Sequence, residues 1–306
     1  MASPDTSWKF VHVTDIHIGS PKSYRFKPGW NDNWTTATRQ IQALGPELLL
    51  VGGDLARDGN TEPDQFDLSR AAIDAVGVPW HVIPGNMDTG NKITDRQGAR
   101  TDRDDVACNV TEELLQTFRS RVGPFPWTFT HRDVRFSGCY EIIKDTSLPS
   151  ARELDRFLSE LESLPPSRHH VMLNHYPLFV DEINEPAYDL TQPDDYLGWY
   201  FGVDPEPRRR LLASYHRAGV THVLSGHIHC RRPPMTIDGI TFCFGASTAM
   251  PQFGDRWSDG DDTLGFQAFT VTPTGIEYQF HPLSVVSQRT DGWGPGGHPK
   301  PEARQK

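Results

Sequence analysis

The stretch "ELLLVGGD", residues 47–54, decides the fold. Four apolar residues, Leu48 to Val51, run straight into two glycines and Asp54. A short apolar run that ends in glycine and a carboxylate reads as a buried strand with polar chemistry at its C-terminal end. The same device stands upstream, where "WKFVHVTD" (8–15) also ends at an aspartate, and downstream in "VPWHVIPGN" (78–86). A helical stretch from about Asn33 to Leu44 separates the first two strands. "DQFDLSRAAIDAVG" (64–77), with Gly77 as a stop, separates the second and third. Strand–helix–strand–helix–strand predicts an α/β fold with parallel strands and crossover helices. Polar residues gathered at the C-terminal ends of such strands mark the active site.

The rest of the chain extends this pattern. Residues 88–124 are polar and read as a long loop followed by a helix at "TEELLQTFRS" (111–120). "SARELDRFLSELESL" (150–164) predicts a helix opened by a capping box of Ser150 and Glu153, with Leu154, Phe157, Leu158 and Leu161 as its apolar stripe. "HHVMLNHYP" (169–177) and "VTHVLSGHIH" (220–229) are strands that end in polar residues, on either side of a second long loop at 181–206 and a helix at "RRRLLASYHRAG". Short strands fill Pro233 to Pro282. One domain over residues 1–286 is expected, with 287–306, rich in Gly, Pro and charge, as a disordered tail.

Composition excludes several classes. Lys and Arg number 30 against 40 Asp and Glu, a formal net charge of -10. Such a chain has no broad attraction to nucleic acid or to an anionic membrane surface. No apolar run is long enough to span a bilayer. The four cysteines are widely spaced and form no C-x-x-C pair, which argues against a thiolate zinc site; reduced thiols are the simpler reading than disulfides. "MASPDTSWKF" has no apolar signal region, so a cytoplasmic chain is the expectation.

Five short blocks end strands or begin loops: D-I-H (Asp15, His17), G-G-D (Asp54), G-N-M-D (Asn86), N-H (His175) and G-H-I-H (His227, His229). In the first and last block the two polar residues are i and i+2, which on an extended backbone point to one side. Glycines beside them permit tight turns and positive φ. Seven oxygen and nitrogen side chains without thiolate suit divalent manganese, iron, cobalt or zinc. Seven are too many for one four-coordinate ion and fit two, spaced about 3.5–4 Å as in two-metal phosphoryl chemistry.

The ordered set D-x-H, G-D, G-N-x-[D/E], N-H and G-H-x-H resembles the calcineurin-like metallophosphoesterases. The resemblance implies a four-layer αββα sandwich with a dinuclear site in its loops. It implies Asp15, His17 and His229 on one metal and Asn86, His175 and His227 on the other. Asp54 would bridge them, with a water or hydroxide shared between the ions as nucleophile. The family's purple acid branch carries a tyrosine three residues after the bridging aspartate; Arg57 stands there instead, which argues against that branch.

In many members the third block is G-N-H-[D/E], whose histidine binds phosphate or protonates the leaving oxygen. Met87 does neither, since a thioether is only a weak acceptor. General-acid help is typically worth about 10²–10⁴-fold. Its loss matters least when the leaving group is stable as an anion, which points to a small phosphodiester or phosphoanhydride as substrate. A phosphomonoesterase with a substitute acid is the second reading, and a non-catalytic metal-stabilised interaction module the third. Asp88 is the candidate acid, with a turn or cap role as its alternative; Arg57 and Tyr176 are candidate substrate contacts. Lys92, Arg96, Arg100 and Arg103 could steady a phosphate, although a solvated face is the commoner role for such a run.

Overall fold

The computed structural model describes residues 7–96, 105–190, 192, 195–252 and 254–290. In chain order these form β1 (Trp8–Val13), α1 (Pro28–Leu44), β2 (Leu48–Val51), α2 (Gln65–Asp74), β3 (Trp80–Val82), α3 (Asn86–Thr89) and α4 (Glu112–Arg121). Then come β4 (Trp127–His131), β5 (Val134–Gly138), α5 (Pro149–Ser163), β6 (His169–Leu173), α6 (Tyr196–Phe201) and α7 (Pro205–Arg217). The last strands are β7 (His222–Ser225), β8 (Met235–Ile237), β9 (Ile240–Phe244), β10 (Gly265–Val271) and β11 (Ile276–Pro282).

Two sheets result, ordered β11-β10-β1-β2-β3 and β4-β5-β6-β7-β9-β8. The expected parallel strands form the centre of each: β1, β2 and β3 in one, β5, β6, β7 and β9 in the other. Both sheets are nevertheless mixed. β10 and β11 join the first antiparallel, and β4 and β8 flank the second. The β8–β9 hairpin follows from its turn, Asp238-Gly239, where both residues have positive φ, as a two-residue type I′ connection needs.

The sheets face each other across an apolar layer. Phe10 of β1 meets Phe136 of β5 edge-on, with ring centroids 5.1 Å apart, and stacks on Phe269 of β10 at 4.7 Å. On the outer faces, Trp34, Ala37 and Ile41 of α1 and Phe66 and Ile73 of α2 cover the first sheet, while Leu154 and Leu158 of α5 and Leu211 and Tyr215 of α7 cover the second. This is the αββα sandwich. Helix starts differ from the sequence reading where proline intervenes. α1 begins at Pro28, and α5 at Pro149, because Pro fits the first helical position. Ser150 therefore lies inside α5, and the expected capping box does not form. Glu112 of α4 instead accepts the Ser150 N–H and hydroxyl, at 3.0 and 2.8 Å, and Glu153 pairs with Arg119.

The long loops are tied to each other. The buried Lys92 ammonium donates to the carbonyls of Trp199 and Gly202 and to Asp204, and Arg96 donates to the Leu190 carbonyl. These two cations hold loops rather than a solvated face: Lys92 serves carbonyls at the end of α6 that lack partners within the helix, and Arg96 a carbonyl in the loop before α6. Arg100 and Arg103 lie outside the described residues. Ser287 and Arg289 bond to Asn33 and Asp32 of α1, and 291–306 lie outside the described residues. The four cysteines are buried and are not joined to one another by disulfides. Among the described residues no helix is long and apolar enough to cross a membrane.

The interior histidines make stability pH-dependent. Burial pushes His12 and His170 down to about 4, from an ordinary 6.5. Between those values the unfolded chain takes up protons that the folded chain refuses, so stability falls as pH drops from 6.5 toward 4. Each site contributes about 1.4 kcal/mol per pH unit across that window. Urea midpoints are expected to fall between pH 6.5 and 4.5, and His170→Asn, whose amide stands in the place of Nδ1 and keeps a donor for the Ala218 carbonyl, to flatten the fall; an unchanged slope in the variant would refute the assignment.

Candidate metal centre

The candidate ligands sit where β1, β2, β3, β6 and β7 give way to loops, and the structure brings all seven together, buried. Asp15, His17, Asp54 and His229 offer one set of converging atoms, and Asp54, His175 and His227 a second, each set within 4.8 Å. His17 Nε2 and His229 Nε2 are 3.0 Å apart, and His229 Nε2 lies 3.1 Å from Asp15 Oδ1. Asp54 Oδ2 is 3.7 Å from His17 Nε2, while its Oδ1 is 3.5 Å from His175 Nε2. Asn86 Oδ1 lies 3.1 Å from the same His175 nitrogen, which adds it to the second set.

The residues converge, but not on an extended backbone as the i, i+2 spacing suggested. Asp15, His17, Asp54, His227 and His229 all have φ between 44° and 66°. Non-glycine residues rarely occupy that region, and such strain gathers at functional sites. The strands end before these residues, so the pairs are aimed by turns. Gly53, at φ 93°, is the one flanking glycine that needs positive φ; Gly85 and Gly226 matter through close approach instead. A Cβ on Gly85 would run into the Asp54 carboxylate, and one on Gly226 into Thr14.

The far side is pinned at three of the four imidazoles, while His17 Nδ1 is buried without a hydrogen-bond partner among the described residues. His175 Nδ1 faces the Gly52 carbonyl at 2.7 Å, His229 Nδ1 the Met250 carbonyl at 2.9 Å, and His227 Nε2 the Tyr200 carbonyl at 2.9 Å. Donation there leaves a lone pair on the inward nitrogen, the form in which imidazole binds metal. Asp15 Oδ2 accepts from Thr14 and from the His227 N–H, while Oδ1 is buried without a hydrogen-bond donor. Asp54 Oδ1 accepts the Met87 N–H at 2.8 Å.

Electrostatics favour a cation here. Burial drives His17 and His227 well below their usual pKa, reinforced by His229 and His175 respectively, so both are neutral. Burial would raise Asp15, but His229 and the other imidazoles hold it below the carboxylate range. Asp54 is pushed well above that range by burial, then by Asp15 and Asp88. Buried carboxylates of like charge are costly unless a counter-charge joins them. Neutral imidazoles, an amide oxygen and carboxylates form a donor set that suits divalent ions.

The three other candidates go to different places. Asp88 is fully buried and accepts the backbone N–H groups of Gly85, Ala56 and Leu55 at 2.9, 3.2 and 3.3 Å. That is the cap role, with burial pushing its pKa to about 7. Tyr176 is fully buried behind the cluster, its ring stacked on His227 at 3.8 Å. Arg57 lines the cleft beside Asp54 and Met87. Its Nε donates to the Tyr24 carbonyl, and its guanidinium lies 5.0 and 5.1 Å from the Tyr24 and Trp30 ring centroids. No carboxylate among the described residues lies within 4.0 Å of it, the neighbouring Asp58 included. Tyr24, Tyr200 and Gln252 also line the cleft and carried no motif. Glu141, which accepts the N–H groups of His175 and Tyr176 at 3.0 and 2.6 Å, likewise left no sequence signal.

Known proteins resemble this chain over most of its length. Serine/threonine-protein phosphatase CPPED1 of Danio rerio is 24% identical over 298 residues, covering 92% of this chain and 86% of that one. Its Rattus norvegicus counterpart is 26% identical over 277 residues, 85% and 77% of the two chains. Purple acid phosphatase PPD1 from yellow lupin shares the fold with a TM-score of 0.61 at 16% identity, covering 94% of this chain and 53% of that one, so this chain spans about half the lupin protein. Residues 9–231, which contain every block from D-I-H to G-H-I-H, match the calcineurin-like phosphoesterases: the chain belongs to that family and is a metal-dependent phosphoester hydrolase.

Proposed function

We propose that the chain hydrolyses a small phosphodiester or phosphoanhydride. Asp15, His17, Asp54 and His229 would hold one divalent ion, and Asp54, Asn86, His175 and His227 a second, from among manganese, iron, zinc and cobalt. Ions bound there would supply Lewis-acid charge to the oxygens of the phosphoryl group. The observation that carries the substrate class is the wall beside Asp54. Met87 lines it, and the carboxylate of Asp88 is taken by three backbone amides. Neither is an acid aimed at a leaving oxygen, so the best substrates have leaving groups that depart as anions.

The chain's own residues divide the work. The carbonyls of Gly52, Met250 and Tyr200 fix which nitrogen of His175, His229 and His227 faces inward. The Met87 N–H orients Asp54. Arg57, with its guanidinium beside the Tyr24 and Trp30 rings, lines the cleft with the cluster and suits a non-bridging phosphate oxygen through its planar fork. A phosphomonoester substrate is the second reading, favoured by the serine/threonine-protein phosphatase names of the relatives. Tyr24 and Tyr200, which line the cleft, would then be the candidate hydroxyls to assist.

With Mn²⁺ supplied, turnover of a bis-aryl phosphodiester is expected to exceed that of the matching aryl monoester and of a phosphoseryl peptide, and to fall on the order of 10²-fold or more in Asp54→Asn. Faster monoester or peptide turnover, lost in the same variant, would replace the first reading by the second. Met87→His restores a donor at the cleft wall. It is expected to raise alkyl monoester turnover by about 10²-fold, the low end of general-acid assistance, while changing the bis-aryl rate little. Equal effects on both substrates would show that the missing acid does not set the preference.

A further inference from the structure

We infer that Lys92, four residues beyond the G-N-M-D block and outside every motif, is a positioning residue for the second ligand set, acting through the C-terminal end of α6. The inference rests on the two-cation reading above. Tyr200 touches two members of that set. Its carbonyl faces His227 Nε2 at 2.9 Å, and its hydroxyl lies 3.4 Å from Asn86 Nδ2. α6 ends at Phe201, so its last carbonyls have no partner within the helix. Lys92 supplies partners on both sides of Tyr200: Nζ donates to Trp199 O at 2.8 Å and to Gly202 O at 2.9 Å. The third proton goes to Asp204 at 2.8 Å, and the ammonium lies 4.8 Å from the Trp199 ring centroid. All three donors are used and the side chain is buried, so water is a poor substitute.

Of the two carbonyls between those, that of Tyr200 is the one His227 needs. Held in place, it keeps the His227 proton on Nε2 and the lone pair on the nitrogen facing Asp54 and His175. The first set has a separate support, the Met250 carbonyl on His229, which Lys92 does not touch. The structure therefore separates the two sets by what holds them, and Lys92 bears on only one.

Mn²⁺ titration of the metal-stripped full chain, followed by calorimetry and by electron paramagnetic resonance, tests this. In Lys92→Met one of two binding steps is expected to weaken by about 10–100-fold, the usual scale for loss of an outer partner, with the other unchanged. Lys92→Gln, which keeps two donors for the two carbonyls, is expected to lie between Met and wild type and covers the case in which Lys92→Met does not fold. Asp204→Asn, which leaves the carbonyl contacts in place, is expected to bind as wild type does. Two unchanged steps in Lys92→Met and Lys92→Gln, or equal weakening of both steps, would overturn the positioning role. A wild-type chain that takes up fewer than two Mn²⁺ would overturn the two-cation reading itself, and this inference with it.

Discussion

Three carboxylates, Asp15, Asp54 and Asp88, lie buried at the ends of the first sheet's parallel strands, and much of the molecule serves to keep them there. Asp88 is satisfied by backbone N–H groups. Asp15 is half satisfied, with Oδ1 left facing the imidazoles. Asp54 has one amide and a pKa driven up by its neighbours. Carboxylates that crowd each other in a dry interior demand positive charge, and the side chain that supplies some of it, Arg57, stands to one side. The left-handed backbone at five of the seven candidate ligands is the cost of aiming so many polar groups inward. Two rigid sheets on either side make that strain sustainable, since the turns have little freedom to relax.

Much of this was legible in the sequence because it depends on order and residue type. Apolar runs that stop at Asp15, Asp54, Asn86 and His175 mark strands whose ends share one edge, and the family blocks name the same residues. What the sequence concealed was contributed by the backbone. The i, i+2 pairs suggested an extended chain, yet the residues converge through left-handed turns, a choice set by neighbouring loops. The carbonyls of Gly52, Tyr200 and Met250 carry no side-chain signature. Ser150 and Glu153 have the spacing of a capping box, but Pro149 moves the helix start and a carboxylate from α4 takes over the role. Lys92 and Arg96 looked like a solvated run because their acceptors lie about a hundred residues away in sequence.

Met87 illustrates how one position holds two independent jobs. Its peptide N–H orients Asp54, and any residue other than proline provides that. Its side chain faces the cleft, where identity governs chemistry. Exchange of histidine for methionine at such a position leaves the carboxylate's support intact while it removes a proton donor. Asp88, next in the chain, is fixed to three amides and has no comparable freedom. Variation in the reaction is thus confined to side chains on a wall whose backbone is already committed.

The place of β1 has a consequence for the order in which the protein is assembled. This strand, the bearer of Asp15 and His17, lies between β2, its near neighbour in the chain, and β10, close to the other end. During synthesis β1 can pair with β2 early, but its other edge stays open until β10 has left the ribosome. A truncated or stalled chain that ends before Gly265 would display the backbone donors and acceptors of an apolar strand, a ready template for another strand to add to. Such a fragment would lack β10 and β11 while it carried every candidate ligand from Asp15 to His229, and its failure would be one of aggregation before it was one of chemistry.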